Sequence, residues 1–366
     1  MNSLLKCFSV LVGSSLAFVL VTLVYICPQR SMWCGISNIM KGNSDVTSDV
    51  LTNTLPRLYR FKREDIKIYN FGQSKTDVMV FLHIQKTGGT TFGRHLVTNL
   101  NITFACKCRR TPKLRCYCKR PSSDKIWLFS RHSLGWPCGL HSDWTEMQSC
   151  VPEFIRKRNG NVENQKYLYV TFLREPISRV LSEFRCYQRG TTWASSQHKC
   201  KGRQATEKEL PPCYKGETWE DVTIDSFIGC KSNLAFNRQS RMLADLTLVN
   251  CYNETGMSYK KRQKIILKSA IRNLRSMAYF GLTEYQKESQ YLFEKTFGIK
   301  FRKSFEQRDE EETRAADVRT DIDQEDLLRI KKLTANDIRL HRFAKELFFY
   351  RLKYFKDRDQ REGLSR

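Results

Sequence analysis

Acidic residues are scarce in this 366-residue chain: 38 Asp and Glu stand against 63 Lys and Arg, a formal charge of +25. That imbalance is spread through the part of the chain that follows the first apolar run, and it calls for a polyanionic companion. Nucleic acid suits a nuclear protein, a sulfated or uronate-bearing glycan a luminal one. Charge of either sign is missing altogether from residues 8–26, a run long enough to cross a hydrocarbon core as a helix. Small residues in the pattern of a cleavage site are missing from residues 23–29, which argues against a removed leader. With Lys6 ahead of the run, the expectation is a type II membrane protein. It would have a cytosolic tail at residues 1–7, a transmembrane signal anchor at 8–27 and all else in the lumen. Internal repeats and low-complexity tracts are also absent.

Cysteine, in contrast, is abundant. Eleven of the fourteen cysteines lie between positions 106 and 251, hard to reconcile with a reducing compartment unless they bind metal. The densest group, Cys106, Cys108, Cys116 and Cys118, is spaced C-x-C twice, whereas zinc ribbons place ligands C-x2-C so that both sulfurs reach one ion. The spacing therefore favours disulfides, with connectivity open. The sequons at Asn101 and Asn253 agree with a luminal domain and mark both as candidate glycosylation sites.

Residues 28–56 are rich in Ser, Thr and Asn with Gly35, Gly42, Pro28 and Pro56, and read as a luminal stem. A catalytic domain is expected over residues 57–356, with a basic tail at 357–366. Residues 78–84 form a short buried-strand pattern, Gly88 and Gly89 follow, and 90–100 carry helical spacing. A second unit repeats the order: an apolar strand at 167–173, Arg174, then Pro176 opening a helix over 177–187. Two strand-loop-helix units imply an α/β fold with a central parallel sheet flanked by helices. Residues 101–166 look like irregular, cross-linked loops. Helical patterns cover 258–277, 284–297 and 327–354, the last with Leu328, Phe343, Leu347 and Phe348 on its apolar side.

Gln85-Lys86-Thr87-Gly88-Gly89-Thr90-Thr91 places glycines, a lysine and hydroxyls between a strand and a helix. The glycines let the backbone approach an anion, the helix-start amides point at it, Lys86 adds charge and the threonines donate hydrogen bonds. The alternative is an ordinary glycine turn. Nucleotide kinases and other NTPases use the order G-x-x-x-x-G-K-S/T and end a second strand in a metal-holding Asp. Here Lys86 precedes the glycines and the second strand ends in Arg174, which suits a nucleotide with an additional phosphate and no obligatory metal.

The run Phe81-Leu-His-Ile-Gln-Lys-Thr-Gly-Gly-Thr-Thr-Phe-Gly-Arg-His-Leu-Val97, with Trp127-Leu-Phe-Ser-Arg131, Cys138-Gly-Leu-His141, Asp143-Trp-Thr-Glu146 and Arg238-Gln-Ser-Arg-Met-Leu-Ala-Asp-Leu246, resembles the heparan-sulfate 6-O-sulfotransferases. The resemblance runs from about residue 57 to 355. It implies the P-loop-like, PAPS-dependent sulfotransferase fold, type II Golgi topology, and transfer of a sulfuryl group from PAPS to the 6-hydroxyl of glucosamine. The partners it implies are heparan sulfate or heparosan and the Golgi membrane, with no nucleic acid and no metal. It further implies that His83, Ile84, Gln85, Lys86, Thr87, Gly88, Gly89, Thr90 and Thr91 wrap the 5' phosphosulfate. Arg174 and Ser182 would hold the 3' phosphate. Gln307, Thr313, Arg314 and Ala315 would close over the nucleotide, although the acidic stretch at 309–312 departs from the family there.

Sulfuryl transfer to an alcohol needs a base for the hydroxyl and a cation for the leaving phosphate. Of six histidines, His83 and His95 sit in the strand and helix of the loop unit, whereas His141, with Trp136 and Trp144 nearby, is better placed to meet a sugar. The resemblance assigns the base to His141. It carries acceptor contacts over to Arg115, Arg131, Trp136, Trp193 and position 186, where the family usually has histidine and this chain has Cys186. Without Cys186 the cysteines between 106 and 251 number ten and can pair completely, so Cys186 is expected to be a free thiol facing the cleft, the alternative being a disulfide with Cys34 in the stem. Three other readings compete: a sulfotransferase of different position specificity, a non-catalytic heparan-binding protein, and a luminal kinase. The second should have lost Lys86, Arg174 or His141, and the third needs metal ligands.

Overall fold

A computed structural model describes residues 58–363, apart from 111–112, 122, 191–197, 215–218, 221 and 306–321. The anchor and stem expected at 8–27 and 28–56 lie outside the described residues.

In chain order the elements that build the site are β1 (Val78–Phe81), α1 (Gly89–Thr98), β2 (Leu128–Phe129), α2 (Trp144–Asn159), β3 (Tyr167–Leu173) and α3 (Pro176–Gln188). They are followed by α4 (Arg238–Leu243), α5 (Tyr259–Ser276), β4 (Tyr279–Leu282), α6 (Gln286–Phe297), α7 (Gln324–Leu333) and α8 (Ala335–Arg361). The four strands form a wholly parallel sheet in the order β2-β1-β3-β4. All of β1 and β4 and six of seven residues of β3 are buried, as strands covered on both faces must be. Packing is tight enough that a Cβ on Gly281 would lie 2.4 Å from the Phe172 ring. Because the strands are parallel, their C-terminal ends share one edge. The chain leaves β1 toward β2 on one side and returns as β3 on the other, so the crevice beyond β1 and β3 is a topological switch point, where open α/β sheets bind ligands.

Three expectations need correction. The segment 101–166 is cross-linked, but it also holds β2, an edge strand of the sheet, and the sixteen-residue helix α2. Asp143 caps that helix by accepting from the Glu146 amide at 3.1 Å. Cys150 and Pro152 in its interior mask the helical pattern. The pattern over 327–354 is two helices, because the chain breaks at Thr334 and restarts with Asn336 and Asp337 donating backbone N–H groups to Asn237 Oδ1 at 2.9 and 3.1 Å. Leu328 is 63% exposed, outside the apolar face. Residues 357–361 are no separate tail: α8 runs through Arg361, and buried Asp359 accepts from Lys295 Nζ at 2.7 Å and Tyr291 Oη at 2.8 Å.

Ten cysteines pair as Cys106–Cys118, Cys108–Cys116, Cys138–Cys150, Cys200–Cys251 and Cys213–Cys230. The C-x-C quartet is thus a doubly stapled hairpin of strands Lys107–Arg109 and Arg115–Tyr117 rather than a metal site. Cys186 is the free cysteine among the described residues.

Candidate active site

The segment after β1 is held from beneath by side chains that stitch it to the strand ends. Thr171 Oγ1 donates to the Leu82 carbonyl at 2.8 Å, and Thr87 Oγ1 to that of Ile84 at 3.0 Å. Thr283, just past β4, donates from one hydroxyl to the carbonyls of Thr87 at 2.8 Å and Leu173 at 2.9 Å. Lys86 and Gly88 both take left-handed backbone, φ 64° and 75°. Gly88 opens α1 without a side-chain cap, and the first turn carries no acid, so the amides of Gly89, Thr90 and Thr91 remain without helical partners. Gly89 is required for a second reason: a Cβ there would meet the His83 ring at 2.3 Å. An uncapped helix start beside a lysine fits a phosphate-bearing ligand. Burial lowers the Lys86 pKa; Arg189 and Arg174 act in the same sense, while Cys186 and Glu183 oppose it.

Arg174 meets this loop at the end of β3, where its Nη1 donates to the Lys86 carbonyl at 3.3 Å. Its backbone is clamped on both sides by Gln239, whose Oε1 accepts from the Arg174 amide and whose Nε2 donates to the Arg174 carbonyl, both at 2.9 Å. Gln239 is fixed in turn by Asp337 of α8, which accepts from the Gln239 amide at 3.1 Å and the Ser240 amide at 2.7 Å. Next to it, Arg238 and Arg179 both pair with Glu183 in a fully buried triad that locks the inner face of α3. Burial alone would raise the Glu183 pKa, but the two guanidiniums outweigh it and hold the carboxyl at about 2. Ser182 and Cys186 lie half-buried on α3, with Cys186 three residues after Glu183 and so on the same side of the helix. Cys186 and Glu183 of α3, and Arg189 just past its end, are near enough to act on Lys86, which puts that side of the helix over the loop. Gln239, Arg238, Glu183 and Thr283 were not singled out from sequence for any role at the site. The one signal was the 238–246 motif, which carried the resemblance but had no stated task.

The opposite wall is made by the loop 135–142, tied to α2 through Cys138–Cys150. His141 takes left-handed backbone, φ 54°, and its Nδ1 donates to the His83 carbonyl at 3.3 Å, leaving the lone pair on Nε2. Burial lowers its pKa to about 4, helped by Arg238 and Arg131 and opposed by that hydrogen bond, so the imidazole is neutral at physiological pH. The Trp136 ring is 4.7 Å from His141, and the Arg131 guanidinium lies over Trp136 at 5.8 Å. His83 stacks on Trp136 at 6.1 Å with 10° between planes and meets His141 edge-on at 4.9 Å. These residues, with Phe81, Phe129, Ser130 and Met147, line a pocket open to solvent. The ring of His83 therefore belongs to the cavity wall, whereas its neighbours Ile84 to Gly89 form the loop. Its buried Nδ1 has no hydrogen-bond partner.

Arg115 is exposed on the stapled hairpin, which packs against the helical turn Arg131–Leu134 and so stands at the rim on the Arg131 side. Trp193, Gln307, Thr313, Arg314 and Ala315 lie outside the described residues. Asn101 is exposed. Asn253 is half-buried, and its Oδ1 accepts from the Thr255 amide and hydroxyl at 2.9 and 2.7 Å.

The sequence profile described as "Sulfotransferase family" matches residues 69–344. Over 360 residues the chain is 45% identical to heparan-sulfate 6-O-sulfotransferase 1-B of Danio rerio, covering 97% of this chain and 87% of that protein. It is 44% identical over 357 residues to heparan-sulfate 6-O-sulfotransferase 1 of Homo sapiens, covering 97% and 86%. Against heparan-sulfate 6-O-sulfotransferase 2 of Danio rerio the identity is 47% over 321 residues, 86% of this chain and 67% of that protein.

Proposed function

We propose a reaction from one premise: the chain belongs to the sulfotransferase family, among the heparan-sulfate 6-O-sulfotransferases. Its substrate is heparan sulfate or its precursor heparosan, and it sulfates the 6-hydroxyl of glucosamine. PAPS supplies the sulfuryl group and carries the phosphates that the loop binds. The amides of Gly89, Thr90 and Thr91 and the Lys86 ammonium receive the 5' side, and Arg174 and Ser182 the 3' phosphate. His141 Nε2 accepts the proton of the attacking hydroxyl, and Lys86 neutralises charge that develops on the leaving phosphate. Trp136 offers a ring face to the sugar, and Arg131 and Arg115 offer cations to its uronate or sulfate. Cys186 stands on the α3 face above the loop and shapes the acceptor side there.

The observation that carries this reading is a single junction. Neutral His141 is hydrogen-bonded to the His83 carbonyl, three residues before Lys86, so proton acceptor and phosphate-side cation are anchored on one stretch of backbone. The luminal, Golgi-resident, type II arrangement rests on the charge-free run at 8–26 and on five disulfides, which need an oxidising compartment. Incubation with radiolabelled PAPS and N-sulfated heparosan, followed by disaccharide analysis, tests the whole proposal. Label on glucosamine O6 is expected. Label confined to uronate or to another glucosamine position would overturn it.

A further inference from the structure

Helix α5 carries a charge pattern that the reaction does not use. Its 18 residues include seven Lys or Arg and no acid. Two of the seven are structural: buried Arg262 donates to the carbonyls of Val249 and Cys251, and Arg275 pairs with Asp65. The other five, Lys260, Lys261, Lys264, Lys268 and Arg272, are exposed. Lys260, Lys264, Lys268 and Arg272 follow one another at four-residue steps, so they form one row, and like charges at that spacing destabilise a helix. Three cations on other helices take an acid four residues away: Lys157 with Glu153 at 2.6 Å, Lys353 with Asp357 at 3.1 Å, Arg358 with Glu362 at 3.7 Å. Among the described residues none of the five on α5 has an ion pair. A self-repelling row left without counter-charges fits a linear polyanion laid along it, over roughly 18 Å from first to last.

The position of the row ties it to the site. Through Met277 and Ala278, α5 turns directly into β4 and so runs antiparallel to the strands, with its N-terminal end at the edge where β1 and β3 end. At that end Asn336 Nδ2 donates to the backbone carbonyl and Oε1 of Gln263, both at 2.9 Å. The next residue, Asp337, holds Gln239, the clamp on Arg174. The row thus starts beside the framework of the donor site and leads away from it. Tyr259 is the sole large apolar side chain exposed on α5, too little for a face that inserts into lipid.

We propose that Lys260, Lys264, Lys268 and Arg272, flanked by Lys261, form a second binding surface for sulfated polysaccharide outside the catalytic cavity. It holds a stretch of the same heparan chain at a distance from the glucosamine being modified. This rests on the function proposed above. Because all four side chains are exposed, the combined variant Lys260→Gln, Lys264→Gln, Lys268→Gln, Arg272→Gln leaves the core intact. With long N-sulfated heparosan its KM should rise about tenfold, and the slope of log Kd against log salt for heparin should shrink by about one per cation removed. KM for a hexasaccharide, kcat and PAPS affinity should not move, and arginine in place of the three lysines should restore long-chain KM. Equal losses on long and short acceptors, unchanged heparin affinity, or a loss restricted to binding of phosphatidylserine vesicles would each overturn the proposal. Heparin affinity is read without turnover. A wild-type chain that binds heparin through the row but sulfates nothing would therefore sink the reaction and not the surface.

Discussion

The walls of the site that we propose receive donor and acceptor are built by different means. On the donor wall the ligand-facing groups are ends of regular elements: the loop closing β1, the start of α1, the tip of β3 and one face of α3. Hydrogen bonds from Thr171, Thr283 and Gln239 hold them. On the acceptor wall His141, Trp136 and Arg131 sit on a short turn and a loop, held by Cys138–Cys150 and by ring packing. The first wall inherits its geometry from the sheet. The second needs covalent ties, and it touches the first through the bond from His141 to His83 and through Arg238, whose charge acts on His141 while its side chain braces α3.

The strongest way to break the comparison is to remove what both walls share. Glu183→Gln strands two buried guanidiniums and should cost about 3–5 kcal/mol, read as a large fall in melting temperature with both ligands weakened together. Its folded pKa lies below the unfolded value of an ordinary glutamate. Its contribution is therefore present above about 4.5 and should fade as pH falls toward 2. Lys86→Ala acts on the donor wall alone and should lower kcat about 100-fold, near 2.7 kcal/mol, leaving the acceptor KM in place. Gln239→Leu removes the clamp without touching ligand. It should weaken PAP binding about tenfold, as one or two lost hydrogen bonds would, again with acceptor KM unchanged. The smallest effect is at Cys186: among the cysteines of residues 58–363 a maleimide should label it alone, and more slowly when PAP or a heparan oligosaccharide is bound. Cys186→His should tighten the acceptor without changing donor affinity. Equal labelling rates with and without ligand would remove Cys186 from the cleft.

The same division governs what could be read from the sequence. The donor wall is legible because its strands and helices write their period into the chain: the apolar run 167–173 has the bounds of β3, and the loop shows in its order of lysine and glycines. The acceptor wall is less so. At two residues, β2 is too short to show a period, and Pro152 argued against a helix that capping at Asp143 and burial of Met147, Val151 and Ile155 nonetheless sustain. Charged residues such as Arg179, Glu183 and Arg238 read as surface in a sequence, and only their convergence across 55 positions makes them core. Gln239 clamps Arg174 from 65 residues away, a distance at which no local pattern speaks.

The most direct test of the account is His141→Ala, with kcat and the PAPS dissociation constant measured side by side. If His141 is the base on a wall separate from the donor, kcat falls at least ~100-fold while PAPS binds as in the wild type. In the wild type the acid limb of kcat/KM should lie near pH 4 rather than near an ordinary histidine's, because burial holds the free imidazole at about that value. Turnover retained with PAPS binding weakened would contradict the account, since it would move His141 from the acceptor wall to the donor wall.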